Sequence, residues 1–129
     1  MNMLFVPSPL IKSPLNYIGG KYKLLPQILP LFPKKIRCFV DLFAGGGNVG
    51  INVDADRIFF NDNLTYLIEV LRYFKETSVN DLLCQIDQCI EDYGLSLKNN
   101  EGYLALRKEY NLRKSPLKLF VLICFCKTA

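Results

Sequence analysis

The hydrophobic positions in the first half of the chain follow the pattern of strands that alternate with helices. Residues 36–43 form a nearly continuous apolar run that ends in glycines, typical of a parallel strand buried on both faces, and residues 57–60 repeat it on a smaller scale. Helical spacing predicts a helix over residues 20–31, a short helix near Asn48, and a helix ending near Lys75. This part of the chain is predicted to form an α/β fold.

The second half of the chain carries only helical patterns. The first predicted helix begins at the capping-type Ser78 and ends at Gly94, and two more cover residues 100–112 and 116–126, the last with Ser115 as N-cap. No third strand is predicted, and a parallel sheet needs more than two strands to be covered on both faces. We therefore expect that further strands complete the sheet, and that they come either from polypeptide outside this sequence or from a partner protein.

Composition and charge narrow the classes of protein that fit. Half of the 129 residues are hydrophobic, 22% are charged and the formal net charge is +4, which indicates a globular chain and suits an anionic partner without requiring one. Residues 1–15, with three prolines, are predicted to form an extended arm. No stretch fits a signal peptide or a membrane-spanning helix, so we expect a cytoplasmic location and no membrane association.

The cysteine and histidine content argues against metal and triad chemistry. The five cysteines contain no C-x-x-C pair and have apolar neighbours, so buried, reduced thiols are expected. The chain has no histidine, the commonest general base and zinc ligand. Neither a metal site nor a Ser-His-Asp enzyme is expected.

The end of the first predicted strand carries the strongest chemical signal. There Asp41 precedes the triple glycine of residues 45–47, and glycine lets the backbone turn sharply and approach a ligand closely. A carboxylate beside this turn would attract the sulfonium or ammonium of S-adenosylmethionine and repel the pyrophosphate of a dinucleotide. Asp62, which ends the second strand, could bind the ribose hydroxyls that both ligands carry. The pattern therefore favours S-adenosylmethionine.

Other interpretations of these residues stay open. Residues 45–50 also match G-x-G-x-x-G, a weak dinucleotide-binding pattern, and the turn could bind nothing while Asp62 caps the next helix. Upstream, Gly19-Gly20-Lys21 could present backbone N–H groups and one positive charge to a carboxylate, or could be an ordinary helix-entry turn.

Taken together, the two glycine segments resemble one family, the Dam-type adenine-specific DNA methyltransferases. In that family an aromatic-x-G-G-K segment precedes an F-x-G-x-G segment, here residues 17–21 and 43–47, and the similarity continues from residue 16 to residue 125. The resemblance implies an incomplete Rossmann-like methyltransferase fold. Residues 1–77 would be the first part of the cofactor-binding domain, and residues 78–129 a helical region that begins the DNA target-recognition domain.

The resemblance also implies which residues bind the cofactor, S-adenosylmethionine. Tyr17 and Lys21 would contact it, Asp41 and the glycine turn would hold its methionine part, and Asp62 would bind the ribose. The complete implied set is Tyr17, Gly19, Gly20, Lys21, Asp41, Phe43, Gly45, Gly46, Gly47 and Asp62. The family often has Trp in place of Tyr17 and Ala or Ser in place of Gly46, and neither departure removes the needed chemistry.

The segment on which methyl transfer depends in this family is missing. That D-P-P-Y segment holds the flipped adenine, and this chain has no Pro-Pro pair, so no catalytic residue is assigned. We expect an N-terminal fragment, inactive alone, produced by shortening, a split gene or a frameshift. The alternatives are a non-catalytic remnant that binds S-adenosylmethionine or DNA, and a fragment of a dinucleotide-binding oxidoreductase.

The implied partners are double-stranded DNA, a cognate restriction endonuclease in a restriction-modification system, and a separate C-terminal half. Basic residues of the helical region would contact DNA phosphates without reading sequence, although a solvated helix face explains them as well. The candidates are Arg107, Lys108, Arg113 and Lys114.

Overall fold

The computed structural model describes residues 9–15 and 17–126. The chain divides into two compact units, Met1–Thr65 and Tyr66–Ala129. The predicted arm is described from Pro9 onward, and its earlier residues, like Asn16 of the G-G-K segment, lie outside the described residues.

The first unit contains a parallel pair of strands. Strand β1 is Cys38–Asp41 and strand β2 is Arg57–Phe60, paired in register from Cys38 opposite Arg57 to Asp41 opposite Phe60. The prediction of β2 is confirmed, whereas β1 is shorter than the predicted run over residues 36–43. In the described part of the chain these two strands are the whole sheet.

One face of this sheet is covered and the other is open. Phe39 packs toward a core that contains Leu25, Val49 and Val53. Val40 and Phe59, which lie opposite each other in the register, are 53% and 52% exposed. The prediction that β1 is buried on both faces is therefore wrong for the described residues, because its apolar run has a covering layer on one side only.

The helix predicted over residues 20–31 is divided into short turns. A 3-10 turn at Tyr22–Leu24 leads into helix α1, Leu25–Ile28, and a second 3-10 turn covers Leu29–Leu31. Pro26 and Pro30 stand near the start of α1 and of the last turn. Because proline donates no backbone hydrogen bond, one continuous helix cannot form here. A 3-10 turn at Gly50–Asn52 takes the place of the short helix expected near Asn48.

The second unit is helical, as the periodicity predicts. Its helices are α2 (Thr65–Glu76), α3 (Val79–Tyr93), α4 (Asn100–Leu112) and α5 (Pro116–Phe125). They pack around a core formed by Cys89, Leu95, Leu106, Val121 and Leu122.

The predicted helix caps are confirmed. Ser78 accepts a hydrogen bond from Asp81 N at 3.2 Å, and Ser115 accepts one from Lys118 N at 3.4 Å. Gly94 ends α3 in the left-handed conformation, with φ 55°. The N-cap of α4, Asn99, was not predicted; its side-chain oxygen accepts a hydrogen bond from Gly102 N at 3.1 Å.

The cysteines depart from expectation in their burial. All five are free thiols, but among them only Cys89 is buried, while Cys38, Cys84, Cys124 and Cys126 are exposed. Burial raises the pKa of the Cys89 thiol, with a smaller contribution from the charge of Asp92. No helix within the described ranges has the length and apolar character needed to cross a membrane.

Candidate cofactor-binding site

The glycine turn after β1 is closed by backbone hydrogen bonds. Gly47 N donates to Ala44 O at 2.7 Å, and Ala44 N donates to Asn61 O at 2.9 Å, which ties the turn to the segment after β2. Gly45 and Gly47 have φ values of 52° and 82°, in the left-handed region that favours glycine. The sequence therefore needs glycine at both positions for the chain to turn here.

Asp62 lies against this turn and organises it. Its Oδ2 accepts a hydrogen bond from Gly45 N at 2.8 Å, and its Oδ1 accepts one from Leu64 N at 2.9 Å. These two bonds, with the charge of Lys21, hold the pKa of Asp62 below its ordinary value of 3.8. A carboxylate has about four acceptor positions, so positions remain for hydroxyl donors of a ligand. Asp62 is thus anionic at neutral pH, and its role in binding a ribose remains a prediction.

The G-G-K segment reaches the same turn. Lys21 Nζ donates to Phe43 O, immediately before the glycine turn, at 3.2 Å. Gly19 adopts φ 82°, and a Cβ at Gly19 or at Gly45 would meet nothing within 4 Å. The two glycine segments therefore lie next to each other, with open space beside Gly19 and Gly45.

A pocket lies between these two segments. It is lined by Tyr17, Ile18, Gly19, Gly20, Lys21, Ala44, Gly45, Gly46, Asn48 and Val49. Six of the ten residues that the resemblance implies as cofactor ligands line it. The others are Asp41, Phe43, Gly47 and Asp62, of which Phe43 is 74% exposed and Asp62 touches the turn through Gly45.

Asp41 is directed differently from the expectation. Its side chain is buried, and its Oδ2 accepts a hydrogen bond from Gly50 N at 3.0 Å. A Cβ at Gly50 would run into the ring of Phe60, so the backbone must pass this point without a side chain. In this conformation Asp41 holds the 3-10 turn at Gly50–Asn52, and its direct contact with a cofactor remains a prediction.

The extended arm is a part of the site that the sequence pattern did not reveal. Asn52 fixes it twice, since Ile11 N donates to Asn52 Oδ1 at 2.8 Å and Asn52 Nδ2 donates to Ile11 O at 2.7 Å. Asn48 Oδ1 accepts from Ser13 N at 2.9 Å. The signal was present as two asparagines four residues apart, but their partners lie 35 and 41 residues away in sequence.

The arm also explains why Gly46 has no side chain. A Cβ at this position would lie 2.8 Å from Leu15 O, inside van der Waals contact. Gly20 is less constrained, because its nearest neighbour, Tyr17 O, would be 3.4 Å away. The arm, the G-G-K segment and the glycine turn thus pack closely together.

The basic residues implied as DNA contacts lie on the second unit and are exposed: Arg107, Lys108, Arg113 and Lys114. Lys114 Nζ lies 4.4 Å from the centre of the Tyr110 ring. The nearby Lys118 is paired with Glu109 at 3.3 Å. The chain thus presents a pocket on its α/β unit and exposed positive charge on its helical unit.

Comparison with known proteins gives the family. Residues 17–126 match the model of the D12 class N6 adenine-specific DNA methyltransferases. The chain belongs to this family. It is 58% identical over 115 residues to the type II methyltransferase M.FokI of Planomicrobium okeanokoites and 56% identical over 115 residues to the modification methylase StsI of Streptococcus sanguinis. It is also 28% identical over 111 residues to the DNA adenine methylase of Escherichia coli K12.

These matches cover most of this chain and a small part of the relatives. The first two alignments span 89% of the chain but 18% of each relative, and the third spans 86% of the chain and 38% of the relative. Both glycine segments fall inside the matched region.

Proposed function

We propose that this chain forms the S-adenosylmethionine-binding part of a site-specific DNA adenine methyltransferase. Such an enzyme transfers a methyl group from the cofactor's sulfonium to the exocyclic amino group of adenine. The observation that carries the proposal is the pocket between residues 17–21 and the glycine turn. Lys21 donates to Phe43 O, just after β1, and Asp62, just after β2, accepts from Gly45 N, so the pocket lies at the carboxyl ends of both strands. A Rossmann-like sheet, completed by further strands, would hold this site.

The residues of the site divide between the two ends of the cofactor. Asp62, anionic and with acceptor positions remaining, would bind the ribose hydroxyls. Lys21 and the backbone N–H of Gly19 would bind the carboxylate of the methionine part, while Gly20 N donates to Tyr17 O at 3.2 Å and closes the turn. Gly45 and Gly47 allow the backbone to lie against the ligand without a side chain between them.

The helical unit would position DNA. Exposed cations on and after α4 suit phosphate contacts, which fix the register of a duplex without reading its sequence. In this proposal residues 1–77 belong to the cofactor-binding domain and residues 78–129 begin the target-recognition domain. Methyl transfer would need a D-P-P-Y segment on further chain, in one longer protein or in a separate C-terminal half, and a restriction endonuclease would be the cognate partner.

A non-catalytic remnant is the second candidate function, and it predicts cofactor or DNA binding without methyl transfer. The dinucleotide alternative rests on the G-x-G-x-x-G match alone.

Calorimetric titration of S-adenosylmethionine, and separately of NAD, into the chain tests the proposal. We expect binding of S-adenosylmethionine and not of NAD, weakened at least about 10-fold in Asp62→Ala because charged hydrogen bonds to the ribose are lost. Asp54→Ala removes the same charge from an exposed position and should bind normally. A folded chain that binds NAD, or neither ligand, would contradict the proposal.

A further inference from the structure

The buried side chain of Asn48 lies where the arm, the G-G-K segment and the glycine turn meet. It is 7% exposed and lines the pocket. Its Oδ1 accepts a hydrogen bond from Ser13 N at 2.9 Å. Because a backbone N–H can only donate, this bond fixes which end of the amide is the oxygen and turns the Nδ2 group toward the other side.

The Nδ2 group of Asn48 is directed toward the G-G-K segment. It lies 3.6 Å from the position that a Cβ of Gly20 would occupy. Within residues 9–15 and 17–126, Asn48 Nδ2 donates to no protein acceptor. The nitrogen is not completely buried, so a ligand atom could reach it. A buried amide with its oxygen held and its donor end open to a pocket is arranged to meet an acceptor on a ligand.

The lining of the pocket indicates the charge of that acceptor. Among its described residues there is one cation, Lys21, and no carboxylate. Asp41 accepts from Gly50 N and Asp62 accepts from Gly45 N and Leu64 N, and neither carboxylate lines the pocket. The pocket therefore offers donors and positive charge, which suit an anionic group of the ligand and not its cationic groups.

We propose that Asn48 is a specificity-determining residue whose Nδ2 donates a hydrogen bond to the carboxylate of the cofactor's methionine part. The proposal rests on the proposed function and adds a residue outside the two segments, 17–21 and 43–47, that carry the family resemblance. Asn48 thereby has two roles: its oxygen anchors the arm, and its nitrogen selects the carboxylate. Lys21 supplies the positive charge that attracts this carboxylate, and the hydrogen bond from Asn48 fixes the orientation of the carboxylate.

The test compares two ligands that differ in this one group. S-Adenosylmethionine and its decarboxylated form are titrated into the wild-type chain, Asn48→Asp and Asn52→Ala. The wild-type chain should prefer S-adenosylmethionine by about 10-fold or more, the usual size of a hydrogen bond to a charged group. Asn48→Asp keeps an acceptor for Ser13 N but replaces the donor by a carboxylate, so most of this preference should disappear.

Asn52→Ala is the matched control, because Asn52 anchors the arm at Ile11 and contacts only the backbone of Asn48, whose O accepts from Asn52 Nδ2 at 2.8 Å, without lining the pocket. It should lower stability and keep the ratio of the two affinities. Loss of fold weakens both ligands alike, so the ratio remains informative even where Asn48→Asp is destabilised. The proposal is overturned when Asn48→Asp keeps the wild-type ratio, when Asn52→Ala loses it equally, or when the wild-type chain has no preference. A chain that binds neither ligand overturns the proposed function and this inference with it.

Discussion

At the scale of single residues, the charge of Asp62 has a consequence for stability. Its two backbone hydrogen bonds lower its pKa, so the folded state binds this proton less readily than the unfolded state does. The stabilisation is therefore complete above the ordinary value of 3.8 and is lost as the pH falls through the lower folded pKa. We expect Asp62→Ala to reduce the free energy of unfolding by about 1–2 kcal/mol at pH 7.

Urea unfolding of wild type and Asp62→Ala at several values between pH 7 and pH 3 measures this effect. The difference between the two proteins should narrow toward the acid end, because the wild-type carboxylate becomes protonated there. Asp54→Ala, at an exposed position, supplies the control for the change in net charge. A difference that stays constant down to pH 3 or grows would contradict the assigned role of the ionised carboxylate.

Gly46 and Gly20 form a matched pair for testing how closely the arm packs. A methyl group at Gly46 would lie 2.8 Å from Leu15 O, whereas at Gly20 its nearest contact would be 3.4 Å from Tyr17 O. We expect Gly46→Ala to cost about 1–3 kcal/mol by overpacking and Gly20→Ala to cost about 0.5 kcal/mol or less. Thermal unfolding measures both, and equal losses in the two variants would show that the arm does not constrain Gly46.

The sequence indicated the positions of the site's glycines and acidic residues better than it indicated their hydrogen-bond partners. A glycine turn and acids at strand ends are visible as local patterns; Gly45 and Gly47 have positive φ, Asp41 is the last residue of β1, and Asp62 lies two residues after β2. Asn48 was not identified, because its function depends on Ser13 and Gly20, which no local spacing connects to it. The direction of Asp41 was also beyond the pattern, since its acceptor role depends on how the chain turns at Gly50.

At the scale of elements, the junction of α3 and α4 is held tightly. Gly102, in the first turn of α4, is buried, and a Cβ there would overlap Tyr93 O at the end of α3. Asn99 closes the same junction, because its Nδ2 donates to Gly94 O at 2.7 Å while its Oδ1 caps α4. The end of one helix and the start of the next therefore form one packed corner.

We expect Gly102→Ala to lower the free energy of unfolding by about 1–3 kcal/mol, despite the better helix propensity of alanine, because the added methyl group has no space. Asn100→Ala, at an exposed position in the same turn, should change stability by about 0.5 kcal/mol or less. Chemical denaturation followed by circular dichroism gives both values. An increase in stability in Gly102→Ala would contradict this prediction, because it would show that the α3–α4 junction can accommodate the added methyl group.

The helices and strands were predicted correctly where hydrophobic periodicity and capping residues agree. The prediction failed where prolines interrupt the pattern or where burial depends on packing against other elements. Helix α3 has an apolar stripe between Ser78 and Gly94, helix α5 begins after Ser115, and the bounds of α3 to α5 match closely. The segment over residues 20–31 has helical spacing, but its two prolines divide it into turns. For β1 the apolar run correctly indicated a strand, while Val40 is half exposed because burial depends on a second covering layer.

At the scale of the whole molecule, the open face of the sheet has a measurable consequence. Val40 and Phe59 form an apolar surface next to each other, and parallel sheets are normally covered on both faces. We expect the isolated chain to bind a hydrophobic dye such as ANS, and Val40→Thr with Phe59→Thr to reduce that binding while the affinity for S-adenosylmethionine is unchanged. Leu112→Thr, an exposed apolar site on α4, serves as the control. Unchanged dye binding in the double variant would place the apolar surface elsewhere.

The distribution of charge leads to a prediction about DNA. The formal net charge is +4, so replacing the four candidate cations of the helical unit, Arg107, Lys108, Arg113 and Lys114, by Gln brings it to zero (4 − 4 = 0). A control variant replaces four cations of the first unit, Lys23, Lys34, Lys35 and Arg37, and reaches the same net charge. If net charge alone governed association, the two variants would weaken DNA binding equally.

We expect the first variant to weaken binding to a DNA duplex more strongly than the control, because phosphate contacts depend on where the charges lie. Each lost contact should reduce the slope of log K against log salt concentration by about 0.9, since binding of a phosphate releases condensed counterions. Fluorescence anisotropy across a salt series measures this slope. Lys114 should contribute least of the four, because its ammonium group already lies over the Tyr110 ring. Equal slopes for the two variants would assign DNA association to overall charge, and the basic residues of the helical unit would then be a solvated surface.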